Sequence, residues 1–221
     1  MYIFSAPMPF EKEHIDKLVD INNEISKSKI TSLYFALPSN CTDTTGFEQL
    51  RTMYKIKTDF NYWEKLITYS LEKDFDFVYL LNSPKEITDI EKILEVQLIK
   101  LDSLICKLKK LGCNKVRVSN TQLMNYLIIN YPELEIYTST SFEHTKLRQY
   151  KLFLEMFPQV KEVVPSFEVN KNFVLLKNLK EQFPNVNVEL MVNEGCLSGC
   201  PIRTHHNLSL PILLYSSSSQ G

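Results

Sequence analysis

Sixteen residues near the C-terminal end, Val192 to Asn207 (V-N-E-G-C-L-S-G-C-P-I-R-T-H-H-N), hold the densest set of chemically capable side chains in the sequence: Glu194, Cys196, Cys200, Arg203, His205 and His206. Several chemistries fit. Cysteine thiolates bind the irons of an iron-sulfur cluster, and a Cys-Pro step like Cys200-Pro201 recurs at cluster ligands. Gly195 and Gly199 would let the backbone approach such a group closely. The two cysteines with His205 and His206 could instead hold zinc, although structural zinc sites usually draw ligand pairs from two separate segments. A C-x3-C pair could also be a dithiol switch. With no cofactor at all, the cysteines would serve as small hydrophobes on a turn.

These residues come after the apolar run Val188 to Val192, which reads as a buried strand, so they are expected in a loop leaving a strand's C-terminal end. The rest of the chain supplies the frame. Short apolar strands are predicted over Tyr2 to Ala6, Ile30 to Leu37, Phe75 to Leu81 and Lys115 to Val118. Helices are predicted over Glu11 to Lys27, Asp59 to Lys73 and Ile90 to Leu111, with apolar residues at helical spacing and Gly112 as a helix stop. Then Tyr131-Pro132, Phe157-Pro158 and Phe183-Pro184 recur 26 residues apart, each leading into a predicted strand: Glu135 to Thr138, Lys161 to Val164 and Asn187 to Val192. Proline cannot continue a helix, so each pair marks the stop of a helix: Thr121 to Asn130, Lys146 to Met156 and Asn172 to Gln182.

Seven strands alternating with six helices predict an α/β fold with a parallel sheet. No G-x-G-x-x-G turn succeeds the first strand, which favours a (β/α) TIM-type barrel over a dinucleotide-binding sheet. A complete barrel takes about 250 residues, so the expectation is a single barrel domain over 1–215, incomplete at its C-terminal end or closed by the apolar piece Leu208 to Tyr215, with a floppy tail over 216–221. Barrel chemistry gathers where strands end. Cys41 comes after the second strand, and Cys196 and Cys200 after the seventh, so a closed barrel would bring all three to one rim. Cys106 sits within a helix and Cys113 precedes the fourth strand, which sets both aside. Three thiolates leave a cluster one ligand short; His205, His206, a substrate or a cysteine beyond the end of this chain could supply it.

Other polar residues carry weaker signals. Ser139, Ser141 and His144 come after the fifth strand, and Ser166 and Glu168 after the sixth. A serine hydrolase could be drawn from them, but no G-x-S-x-G elbow supports it, and turn or cap roles suit the serines better. Arg117, inside the fourth strand, is expected to face inward, where it would need a carboxylate or an anionic substrate group. His14, on the first helix, reads as a surface residue. The balance of 25 basic and 26 acidic residues gives no overall attraction to nucleic acid or to membrane surfaces. With no apolar run of spanning length and no basic leader, a cytoplasmic location without membrane contact is expected. Five cysteines are too few for a disulfide scaffold.

The motif N-E-G-C-L-S-G-C-P-I-R-T-H-H-N, together with V-R-V-S-N-T-Q-L, E-I-Y-T-S-T-S-F and E-V-V-P-S-F-E-V, resembles the collagenase-like peptidases of bacteria and archaea, peptidase family U32. The resemblance implies a (β/α) barrel with a cysteine-bearing loop after the seventh strand. It also implies an iron-sulfur cluster, 4Fe-4S, held by Cys41, Cys196 and Cys200, because some members of the family bind clusters and work in oxygen-independent hydroxylation. Glu194, Arg203 and His205 or His206 would then orient substrate or move protons. The substrate would be a small molecule, a peptide or an RNA base. The chain departs from the commoner family pattern by carrying Glu194-Gly195 where others have His-Gly, and by spacing its loop cysteines more closely. A true peptidase, and an accessory subunit needing a partner protein, are the alternatives.

Overall fold

The computed structural model describes residues 1–37, 59–81 and 92–193, and the side chains of 92–97 lie outside that description. Seven strands alternate with six helices: β1 (Tyr2–Pro7), α1 (Lys12–Glu24), β2 (Ser28–Phe35), α2 (Phe60–Leu71), β3 (Asp76–Leu81), α3 (Lys92–Lys110), β4 (Lys115–Val118), α4 (Thr121–Asn130), β5 (Glu135–Thr138), α5 (Leu147–Met156), β6 (Val160–Val163), α6 (Phe173–Gln182) and β7 (Asn187–Val188). The sheet order is β1-β2-β3-β4-β5-β6-β7. The pairs β1–β2, β2–β3, β5–β6 and β6–β7 are parallel. This is the α/β fold of the (β/α)-barrel type, with seven strands among the described residues. Among those residues no helix is long and apolar enough to cross a membrane. The expected closing piece Leu208 to Tyr215 and the tail over 216–221 lie outside the described residues.

The chain divides into two compact units, Met1–Leu80 with Ile87–Lys115 and Leu81–Glu86 with Val116–Gly221. The first unit is built on aromatic burial. The Phe35 ring lies 6.2 Å from Trp63 and 5.2 Å from Tyr79, and all three side chains are buried. One large aromatic side chain removes about 200 Å² from water, roughly 5 kcal/mol at 25 cal/mol per Å². Helix α2 supplies Trp63, Leu66 and Ile67 to this core at helical spacing, and Asp59 caps its start by accepting from the Tyr62 N–H at 2.9 Å. Helix α3 buries Leu101, Leu104, Ile105 and Leu108. It stops at Gly112, whose φ of 78° belongs to the left-handed region. There Gly112 N–H donates to Lys109 O, and Cys113 N–H to Leu108 O, both at 2.9 Å. That pair of bonds is the Schellman arrangement, and it releases the chain into β4.

In the second unit the aromatic-proline repeat acts three times in one way. Tyr131, Phe157 and Phe183 end α4, α5 and α6 with ψ of 62°, 68° and 67°, each donating its N–H to the carbonyl four residues back. The proline after it has no N–H to give, so the helix ends there. Each aromatic carbonyl then accepts from the residue three further on: Leu134 at 3.0 Å, Val160 at 3.1 Å and Val186 at 3.1 Å. These are β-turns with proline at their second position, where its fixed φ is already suited to the turn. They feed β5, β6 and β7.

The last strand departs from the sequence reading. The apolar run through Val192 predicts a buried strand, but β7 covers Asn187–Val188 alone, and Val192 is 76 % exposed. Glu189 still donates its N–H to Val163 O at 3.0 Å, continuing the ladder by one bond. Its carboxylate, however, is committed to the Arg117 guanidinium on β4. Polar bonds, not apolar alternation, direct the chain beyond β7.

Candidate functional site

Strand residues point alternately to the two faces of a sheet. On β4, Val116 and Val118 are buried, so Arg117 between them faces the other way. It meets two carboxylates of the second unit. The Arg117 Nη2 donates to Glu162 Oε1 on β6 at 2.8 Å and to Glu189 Oε2 just past β7. The side chains of Arg117, Glu162 and Glu189 are 11 %, 15 % and 24 % exposed. Charges so far removed from water persist only when paired and hydrogen-bonded. The Arg117 Nε is also buried and has no hydrogen-bond partner among the described residues. Tyr137 on β5 is in register with Glu162, and its hydroxyl donates to Glu135 Oε2 at 3.1 Å. Three successive strands and the residue after β7 therefore bring ionisable groups into the second unit.

The segments after β5 and β6 are polar but structural in their bonding. Ser139 accepts from the Ser141 N–H at 3.2 Å and so caps the short 3-10 turn Thr140–Phe142; the two hydroxyls lie 3.0 Å apart. The Thr138 Oγ1 accepts from Val164 N–H at 2.9 Å. The His144 carbonyl accepts from Tyr150 Oη at 2.7 Å and from Ser166 N–H at 3.2 Å, tying the two segments together. The His144 ring packs against Phe142, Tyr150 and Phe153, and burial lowers its pKa below the ordinary imidazole value. Burial raises the Tyr150 phenol. A serine–histidine pair is not what these bonds make. Glu168 lies on a second 3-10 turn, Phe167–Val169, and is exposed.

The sequence-predicted ligands and catalytic candidates Cys41, Glu194, Cys196, Cys200, Arg203, His205 and His206 all lie outside the described residues. The two cysteines set aside by the sequence do lie within them. Cys106 is exposed on α3, while Cys113 is buried, and burial pushes its thiol up to about 12. Among the described residues no group of three or more His, Cys, Asp or Glu is placed to hold a metal ion. His14 is exposed, with its Nδ1 3.9 Å from Glu11. Arg117 has the carboxylate partners its burial demanded, whereas sequence reasoning missed Glu162 and Glu189 themselves. The signal was there: V-K-E-V and N-V-E-L each set a glutamate beside apolar residues in a stretch with a strand's composition, where an ionisable side chain is costly unless paired.

No known family model matches the sequence, and a search of curated proteins gives no match. Solved structures do match in fold. One is the U32 peptidase Mk0906, at a TM-score of 0.64 and 13 % identity, covering 94 % of this chain and 74 % of that one. Another is a mutant O-GlcNAc hydrolase from Thermobaculum terrenum, at a TM-score of 0.51 and 14 % identity, covering 90 % of this chain and 48 % of that one. At such identities the likeness is one of fold, and the (β/α) barrel is a frame that serves many chemistries.

Proposed function

We propose that this chain is a (β/α)-barrel enzyme of the U32 peptidase type that binds a 4Fe-4S cluster through Cys41, Cys196 and Cys200 and uses it to modify a substrate, in a reaction of the oxygen-independent hydroxylation class. The observation that carries the proposal is the order of element and ligand. The segment with Cys41 comes after β2, and the segment with Cys196 and Cys200 after β7. In (β/α) barrels the catalytic groups come from the segments after the strands. The donor set suits the group: three thiols remain once exposed Cys106 and deeply buried Cys113 are set aside, and cluster irons take cysteine thiolates. Bound, the cluster would supply electron-transfer chemistry. Glu194, Arg203 and His205 or His206 would orient the substrate, a small molecule, peptide or RNA base, and move protons.

The test is the iron, zinc and acid-labile sulfide content of protein purified without oxygen, with Cys41→Ala, Cys196→Ala and Cys200→Ala alongside. Iron and sulfide in near-equal amounts, lost in the variants, is the expected result. Zinc alone would turn the reading toward hydrolysis, which the fold likeness to a protein described as a U32 peptidase keeps as the second reading. Metal uptake that required a second protein would make the chain an accessory subunit.

A further inference from the structure

Helix α5 turns one side to the core of the second unit, where Tyr150, Phe153 and Leu154 are buried. The other side carries Arg148, Lys151, Leu152, Glu155 and Met156, all exposed. Leu152 and Met156 are 53 % and 66 % exposed and one turn apart, so they lie together on that surface. Helix α6, which packs against α5, begins with exposed Phe173 and Val174. Apolar side chains scattered singly over a surface need no explanation, whereas a gathering of them marks a place of contact.

The charges around Leu152 are ordered in a way the helix itself does not favour. Arg148 and Lys151 stand toward its N-terminal end and Glu155 toward its C-terminal end; the first turn holds no acidic residue and the last turn no basic one. That order opposes the helix macrodipole. Lys151 and Glu155, 4.0 Å apart with both side chains more than half exposed, also take the weaker sense of an i,i+4 pair, in which glutamate should precede lysine. A neighbouring helix running the other way gives the order a use. A two-fold rotation about the middle of α5 lays a second α5 antiparallel on the first. Leu152 then meets its own counterpart, and Arg148 and Lys151 meet Glu155 of the second copy. A contact between identical surfaces must be complementary to itself. Basic, apolar and acidic groups set in that sequence along one helix meet the condition.

We propose that the exposed face of α5 is a self-association surface, on which a second copy of this chain docks antiparallel around Leu152, with Phe173 and Val174 at the margin. Helix α5 has 10 residues and is about 15 Å long. A contact of that extent belongs to the small end of specific interfaces, so the dimer is a weak one, formed at micromolar concentration. The surface lies within the second unit and involves none of the cysteine segment, so its test is independent of the proposed cluster.

The experiment is analytical ultracentrifugation of the full chain from about 1 µM to about 300 µM, the range in which a small interface associates. The unaltered chain should pass from monomer to dimer. Leu152→Asp, at an exposed position, should keep the circular dichroism spectrum and weaken association by about tenfold or more, because it sets two like charges together at the centre of the contact. Charge reversal is the sharper arm. Arg148→Glu with Lys151→Glu in one chain, and Glu155→Lys in another, should each abolish self-association, since each chain then presents like charges to its own copy. Mixed in equal amounts, the two should form a heterodimer, a recovery that a defect in folding could not produce. A chain monomeric at every concentration would overturn the proposal and leave the face to a different protein. A dimer indifferent to Leu152→Asp, or charge variants that fail to pair on mixing, would overturn it as well.

Discussion

The two units use their strands differently. In the first, the buried positions of β2 and β3 hold Leu33, Phe35, Phe77, Val78 and Tyr79, and the fully buried polar side chain among its described residues is Ser70 on α2, bonded back to Leu66 O at 2.9 Å. Its strand ion pair, Lys115 with Asp76, is partly exposed. The second unit buries Thr138, Ser139 and Ser166 and draws Arg117, Glu162 and Glu189 together on its strands. An apolar interior needs only shape, whereas an ionic one must satisfy every charge and yields less stability for the same volume. The first unit is held by apolar and aromatic packing. The second carries charges inside its sheet, where each needs a partner.

That contrast can be broken at either side. Trp63→Ala should have the largest effect, about 4 kcal/mol in urea unfolding, because it removes a 1 % exposed ring stacked on Phe35 and leaves a cavity. A loss of less than about 1 kcal/mol would mean the aromatic core does not support the first unit. Arg117→Met should cost about 3 kcal/mol, since it strands two largely buried carboxylates. If it proved neutral, the cluster would be equivalent to a surface ion pair and the distinction between the units would fail.

The smallest effect concerns pH and sharpens the picture of the second unit. Burial lowers the His144 pKa below 6.5, so the folded chain keeps the ring neutral while the unfolded chain takes up a proton. Its contribution is fully present above about pH 6.5 and is lost as pH falls below that value toward the folded pKa. His144→Phe should therefore flatten the dependence of stability on pH between about pH 7.5 and about pH 5.5 relative to the unaltered chain. An unchanged slope would show the ring to be solvated.

Much of the frame was legible because local chemistry decides it. The Tyr131, Phe157 and Phe183 stops were readable since proline removes a backbone donor wherever it stands, and β4, α4 and β5 have the bounds their sequence predicts. Gly112 was readable as a helix stop for a similar reason. The end of β7 was not: the run at Val188 to Val192 has a strand's composition, but Glu189 is claimed by Arg117, 72 residues earlier in the chain. A contact of that separation leaves no periodic trace. For Arg117 the need for a partner was legible and the partner's identity was not, because any of the strand carboxylates could have met it.

The most direct measurement is the iron and acid-labile sulfide content of the unaltered chain purified without oxygen, compared with Cys196→Ala and with Cys106→Ala. Iron and sulfide are expected in the unaltered chain and in Cys106→Ala, and their loss in Cys196→Ala. Protein that is folded and free of iron, or a content equal in all three, would contradict that expectation.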